Sequence, residues 1–122
     1  MVKGNKIPFV NENLVMSKAL KILTKKKLGV LIVQNNKNQT KGIITDGQVR
    51  RYNQNNKDLF DSNVSKIMTK NPISVEKDML AAKALNIMNK NKITALCVHD
   101  KKKKFKTIGV LHIHNILEAN IS

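Results

Sequence analysis

The second half of the chain repeats the first, and this constrains the fold more than any other feature. Val10 and Val75, Asn13 and Asp78, Ala19 and Ala84, Leu20 and Leu85, Leu23 and Met88, and Val33 and Val98 all stand 65 residues apart. Gly42 and Gly109 stand 67 apart, so the second copy carries two extra residues where a surface turn tolerates them. Apolar positions that match across two halves imply two units of one fold, packed on each other. Units of about 50 residues are marginal alone. The 122 residues therefore read as one modest domain, or two very small ones sharing a core.

Within each copy the periods alternate. Ile7 to Val10 reads as a short strand with Pro8 near its start, where a missing N–H is tolerated. Asn13 is the expected N-cap. Val15, Ala19, Leu20 and Leu23 then recur at helical spacing with Lys on the other face. Leu28 to Val33 is a buried strand, Asn35 to Asn38 a turn, and Gly42 opens a further strand that runs into a helix. The second copy follows the same plan, with Asp78 as cap, Leu80, Ala84, Leu85 and Met88 as helical stripe, and strands at Ala95–Val98 and Ile108–Leu111. A last helix is expected from Ile113 to Ala119. Each copy is β-α-β-β-α, a mixed α/β (α+β) class. The expected division is a lead-in over 1–6, a first repeat over 7–56, a connecting segment over 57–71 with a short helix near Val64–Met68, and a second repeat over 72–121.

Residues 42–51, GIITDGQVRR, mark the functional corner. Gly42 to Ile44 is β-rich, and Thr45-x-x-Gln48 has capping-box spacing, so a strand turns sharply into a helix. Free N–H groups and a positive helix dipole meet there, a combination that accepts anions such as phosphate. Arg50 and Arg51 add positive charge one turn further in. Thr45 and Gln48 read either as ligand contacts, on phosphate and ribose, or as a capping box alone. Asp46 reads as a helix-start residue, since no Ser-His-Asp set, paired acid/base carboxylates or Gly-rich phosphate loop accompanies it.

Composition narrows the classes. Hydrophobic residues make up 41% but aromatics only 3%, with no Trp, so the core must be aliphatic. The single Cys97, inside the apolar run Ala95–Val98, excludes an internal disulfide and reads as a buried inert thiol in a reducing compartment. The N-terminus lacks the apolar core of a signal peptide, and no apolar run approaches the ~20 residues of a membrane helix. A cytoplasmic protein without membrane contact is expected. The net charge of +15, from 23 Lys+Arg against 8 Asp+Glu, raises nucleic acid as a partner. Scattered lysines and the shortage of stacking aromatics disfavour it. The Lys101–Lys106 run reads as a solvated hairpin tip. His112 and His114, with Cys97 and His99 nearby, fit no familiar zinc spacing, so no metal site is assigned.

The twin β-α-β-β-α units, each ending in Gly-apolar-apolar before a helix, resemble a pair of cystathionine-β-synthase (CBS) domains, a Bateman module. The resemblance covers Ile7 to about Ile121. More narrowly, residues 42–51, residues 109–117 (GVLHIHNIL), Ile7-Pro8-x-Val10, Lys27-Leu28-Gly29 and Ile67-Met68-Thr69 resemble the CBS region of arabinose-5-phosphate isomerases of the KpsF/GutQ type. That resemblance implies a regulatory tail without catalysis of its own, lacking the family's sugar-isomerase domain. It implies a homodimer through CBS pairs and a small anionic effector, an adenosine nucleotide or a CMP-sugar, with no required cofactor. It places the effector in two clefts between repeats, one lined by Leu28, Gly29, Thr45, Asp46 and Gln48 and the other by Ile93, Thr94, His112 and Asn115, with a purely structural turn as the alternative at Leu28-Gly29 and Ile93-Thr94. A module that only assembles the isomerase, without ligand, is the alternative. CBS repeats that bind adenosine nucleotides carry Gly-x-x-Thr-x-x-Asp; here Gln48 and Asn115 stand at the Asp positions, and an amide lacks the charge-assisted strength of a carboxylate.

Overall fold

Short runs that are apolar on both faces fold as central strands, and the chain has two, Val30–Gln34 and Ala95–His99. A computed structural model describes residues 2–3, 6–26, 29–55 and 58–113. Around the first run it places β2 (Phe9–Asn11), α1 (Met16–Lys26), β3 (Val30–Gln34), β4 (Thr40–Thr45), α2 (Asp46–Asn55), α3 (Val64–Ile67) and β5 (Thr69–Lys70). Around the second it places β1 (Val2–Lys3), β6 (Ser74–Glu76), α4 (Ala81–Asn91), β7 (Ala95–His99) and β8 (Thr107–His112). The two sheets have the orders β2-β3-β4-β5 and β1-β8-β7-β6. One compact unit is Pro8–Pro72; the other joins the described residues of Met1–Ile7 to those of Ile73–Ser122.

The 65-residue repeat reappears bond by bond. Phe9, Val10 and Asn11 pair in parallel with Ile32, Val33 and Gln34, and Ser74, Val75 and Glu76 pair likewise with Cys97, Val98 and His99. The antiparallel partner pairs Val33 with Gly42 in one sheet and Val98 with Gly109 in the other, and a bulge follows Val33 and Val98 alike. Glu12 N–H donates to the Gln34 carbonyl at 2.9 Å, and Lys77 N–H to that of His99 at 3.0 Å. Equal apolar patterns give equal registers because a slip of one residue would turn every buried side chain outward.

Each sheet carries its helix on one face. In the unit of the first repeat, Met16, Ala19 and Leu23 of α1 meet Val10, Leu31, Val33 and Ile44, together with Leu59, Val64 and Ile67. In the other unit, Ala84 and Met88 of α4 meet Val75, Leu96 and Val98. Gly42 is needed for a close approach: a Cβ there would stand 2.4 Å from the Met68 sulfur. The α4 helix ends with Lys92 in the left-handed region (φ 55°), its N–H turned back on the Met88 and Asn89 carbonyls.

Several expectations need correction. Asn13 and Asp78 do not cap. They precede the helices by a turn, and Leu80 is the N-cap of α4, with no side-chain hydrogen bond. Asn13 N–H instead donates to the Asn11 side-chain oxygen at 2.9 Å, closing an Asx turn. Val2–Lys3, read as polar lead-in, and Thr69–Lys70, read as connector, are both edge strands, pairing with β8 and β4. Strands of two residues are too short to show an alternation and are invisible to periodicity. The first central strand starts at Val30, with Gly29 in a bend before it. Ile113 begins the expected last helix, whose remaining residues lie outside the described ones.

Candidate functional site

Both strand-to-helix corners are built alike, each within its own unit. At the first, Asp46, the opening residue of α2, donates its backbone N–H to the Gly29 carbonyl at 3.0 Å. At the second, Ile113 N–H donates to the Thr94 carbonyl at 2.8 Å. Gly29 and Thr94 are separated by the repeat's 65 residues, and Asp46 and Ile113 by the hairpin's 67. The bond fastens the bend before each central strand to the residue that follows the hairpin, and at Asp46 it satisfies one of the N–H groups that the start of α2 leaves unpaired.

The side chains at the first corner have distinct tasks. The Thr45 hydroxyl caps the helix, accepting from Gln48 N–H at 3.3 Å. The reciprocal half of the expected capping box is absent, because the Gln48 amide instead donates to the Ile67 carbonyl at 2.5 Å and so ties α2 to α3. Gly29 has φ +70°, and a Cβ on it would stand 3.0 Å from Asp46 Oδ2, so the carboxylate lies directly over the Gly29 backbone. Asp46 itself is exposed, in the first helical turn where a negative charge is favoured. Arg50 is exposed, while the Arg51 guanidinium folds back towards Gly47. Gly29, Thr45, Asp46 and Gln48 are thus neighbours on one corner.

At the second corner Ile93, Thr94 and His112 are brought together. Ala95 pairs with His112 across β7 and β8, as Val30 pairs with Thr45. Thr94 is exposed, and Ile93 and His112 are half-buried. Leu28, Asn115 and His114 lie outside the described residues.

Sequence reasoning passed over one polar cluster in this unit. His99 and Thr107 are buried, and Ser74 Oγ and His99 Nδ1 share a hydrogen bond of 2.5 Å. Cys97 lies on the same strand, and burial pushes its thiol from 9.0 up to about 11, with a Thr107 hydrogen bond pulling the other way. That is an inert thiol, as its apolar neighbours implied. The signal for the cluster was Ser74 and Cys97 standing where the first repeat has Phe9 and Ile32. Among the described residues no group of His, Cys, Asp and Glu has metal-binding proximity. No described helix is long and apolar enough to cross a membrane.

Comparison with known proteins supplies the context. The CBS domain family matches residues 2–55 and 64–122. The arabinose 5-phosphate isomerase KdsD of Yersinia pestis is 36% identical over 121 residues, which are 99% of this chain and 36% of that protein. The chain thus spans about a third of the curated relatives it matches. CBSX2, crystallised in complex with AMP, superposes with a TM-score of 0.84 at 22% identity, over 99% of this chain and 92% of that one. The CBS domain pair of protein MJ0100, in complex with 5'-methylthioadenosine and S-adenosyl-L-methionine, gives 0.85 at 22% identity, over 98% and 91%.

Proposed function

The chain belongs to the CBS domain family as a tandem pair, and we propose that it is the ligand-sensing regulatory module of an arabinose-5-phosphate isomerase. In this reading the chain performs no chemistry. It binds an adenosine nucleotide, or a CMP-linked sugar, at the two strand-to-helix corners and alters the activity of a sugar-isomerase domain carried elsewhere in the enzyme. The observation that carries the reading is the twin corner: Asp46 on Gly29 and Ile113 on Thr94, the same bond built twice. The first corner combines a helix start with a fastened bend, so its backbone donors keep their aim without a ligand and little ordering cost attaches to binding.

At the first corner the exposed Asp46 carboxylate accepts ribose or sugar hydroxyls, and the Thr45 hydroxyl lies beside it. A chain with net charge +15 draws the phosphate towards both corners. Support comes from the identity to the Yersinia KdsD isomerase and from neighbours holding AMP and S-adenosyl-L-methionine. The regulatory effect requires that the ligand bind two states of the enzyme unequally. Calorimetry and thermal melting with AMP, ATP, S-adenosyl-L-methionine and a CMP-sugar test the reading. At 100 times the Kd a true ligand stabilises by about 2.7 kcal/mol, and silence from all four rejects it.

A second reading has its own observation. The Gln48 amide is already committed to the Ile67 carbonyl, which suits a helix junction built for rigidity. In that reading the module only pairs isomerase chains as a homodimer, and sedimentation gives one dimer affinity with and without nucleotide.

A further inference from the structure

Residues 58–67 do three things at once in the unit of the first repeat. They lie over the start of α1: Met16 N–H donates to the Ser62 carbonyl at 2.8 Å and Ser17 N–H to that of Phe60 at 3.1 Å. They close the core with Leu59, Val64 and Ile67, which are 1%, 0% and 4% exposed. They also return two bonds to the loop before α1, Val64 N–H to Leu14 at 2.9 Å and Ser65 N–H to Glu12 at 3.2 Å, with Val15 bridged to Asn63. Through Met68 they then run into β5.

The other unit has every receiving part of this arrangement. Ala81, Ala82, Leu80, Met79 and Lys77 stand 65 residues after Met16, Ser17, Val15, Leu14 and Glu12. β1 occupies on β8 the register that β5 occupies on β4, with Val2 on Val110 and Lys3 on Gly109 against Thr69 on Ile43 and Lys70 on Gly42. Yet Ala81 and Ala82 are exposed, their N–H groups meet no acceptor among the described residues, and Leu80 is 76% exposed. The residues that lead into β5 seal α1. By the same register, residues leading into β1 fall on the start of α4.

We propose that the start of α4, with Leu80 at its centre, is a docking site for a peptide segment joined to the chain ahead of β1. The segment is extended and then turns once as a helix. It carries apolar residues at the spacing of Leu59, Val64 and Ile67, and its carbonyls accept from Ala81 and Ala82. Acidic residues before and between the apolar ones, like Asp58 and Asp61, suit the positive end of α4 and a chain of net charge +15. A domain preceding such a segment is coupled to the second unit through this contact. The proposal is independent of any ligand at the corners.

The test joins a copy of residues 58–67 (DLFDSNVSKI) directly ahead of Met1, which then stands where Met68 stands in the first repeat. A scrambled ten-residue extension is the control. The designed extension raises Tm by about 5 °C over the scrambled one. It slows hydrogen exchange at the Ala81 and Ala82 amides by about tenfold or more, and Leu80→Lys removes both effects. Equal melting of the two extensions overturns the proposal. So does a gain in Tm without protection at Ala81 and Ala82, or a gain that survives Leu80→Lys. Concentration-dependent protection of those amides in the unextended chain also overturns it, because a second copy then covers the site.

Discussion

The two units share registers, bulges and corner bonds, but they differ in what covers the start of their helix. In the first, Leu59, Val64 and Ile67 come in from residues 58–67 and are buried against α1. In the second, Leu80 stands 76% exposed at the start of α4. A second contrast lies in the sheets: Phe9 faces Ile32 across β2 and β3, whereas Ser74 faces Cys97 across β6 and β7. Matching local sequence therefore reproduces strands and helices, while burial depends on which further segment arrives. Helix stability comes mostly from packing of the amphipathic face, so two similar helices need not be equally secure.

Substitutions put this contrast at risk, the strongest first. Leu59→Ala deletes a fully buried side chain and is expected to cost about 2–5 kcal/mol in urea unfolding. Next is Cys97. Its folded pKa of about 11 lies above the unfolded 9.0, so the folded state favours the neutral thiol. The resulting stabilisation is present below 9.0 and lost as pH rises towards 11. It amounts to about 2–3 kcal/mol. The stability difference between the protein and Cys97→Ala should shrink by that amount across the window, while lysine titration cancels. Ile32→Ala at the matching site of the first unit should show no such pH dependence.

Gly42→Ala forces a Cβ against Met68 and should cost about 1–3 kcal/mol. A double-mutant cycle with Met68→Ala should return much of it, and strict additivity would mean that the close approach is unimportant. Thr45→Ala removes the cap on Gln48 N–H and should cost about 1 kcal/mol. The smallest effect belongs to Leu80→Ala, expected within about 0.5 kcal/mol because the side chain is exposed. A cost equal to that of Leu59→Ala would erase the contrast between the units.

Much of the fold was legible because the repeat doubled every signal. Val33 matches Val98 and Gly42 matches Gly109 across the repeat, and the two sheets pair these residues in the same way, Val33 with Gly42 and Val98 with Gly109. The Thr45 cap was legible from its spacing to Gln48, but the destination of the Gln48 amide was not, since Ile67 is 19 residues away. Asn13 and Asp78 misled as caps because Asn and Asp serve turns as readily as helix starts. The corner bonds from Asp46 to Gly29 and from Ile113 to Thr94 join backbone to backbone, and no residue type announces them.

By itself, the sequence determined the β-α-β-β-α plan, its duplication and the aliphatic character of both cores, because periodicity and burial preference are local properties that repeat when residues repeat. Only the tertiary structure decided which segment finishes each sheet and which apolar residues are covered. Val2–Lys3 and Thr69–Lys70 became strands because partners at Gly109–Val110 and Gly42–Ile43 offered unpaired backbone groups. Edge pairing is set by the neighbour's open hydrogen bonds and not by the side chains of the arriving strand.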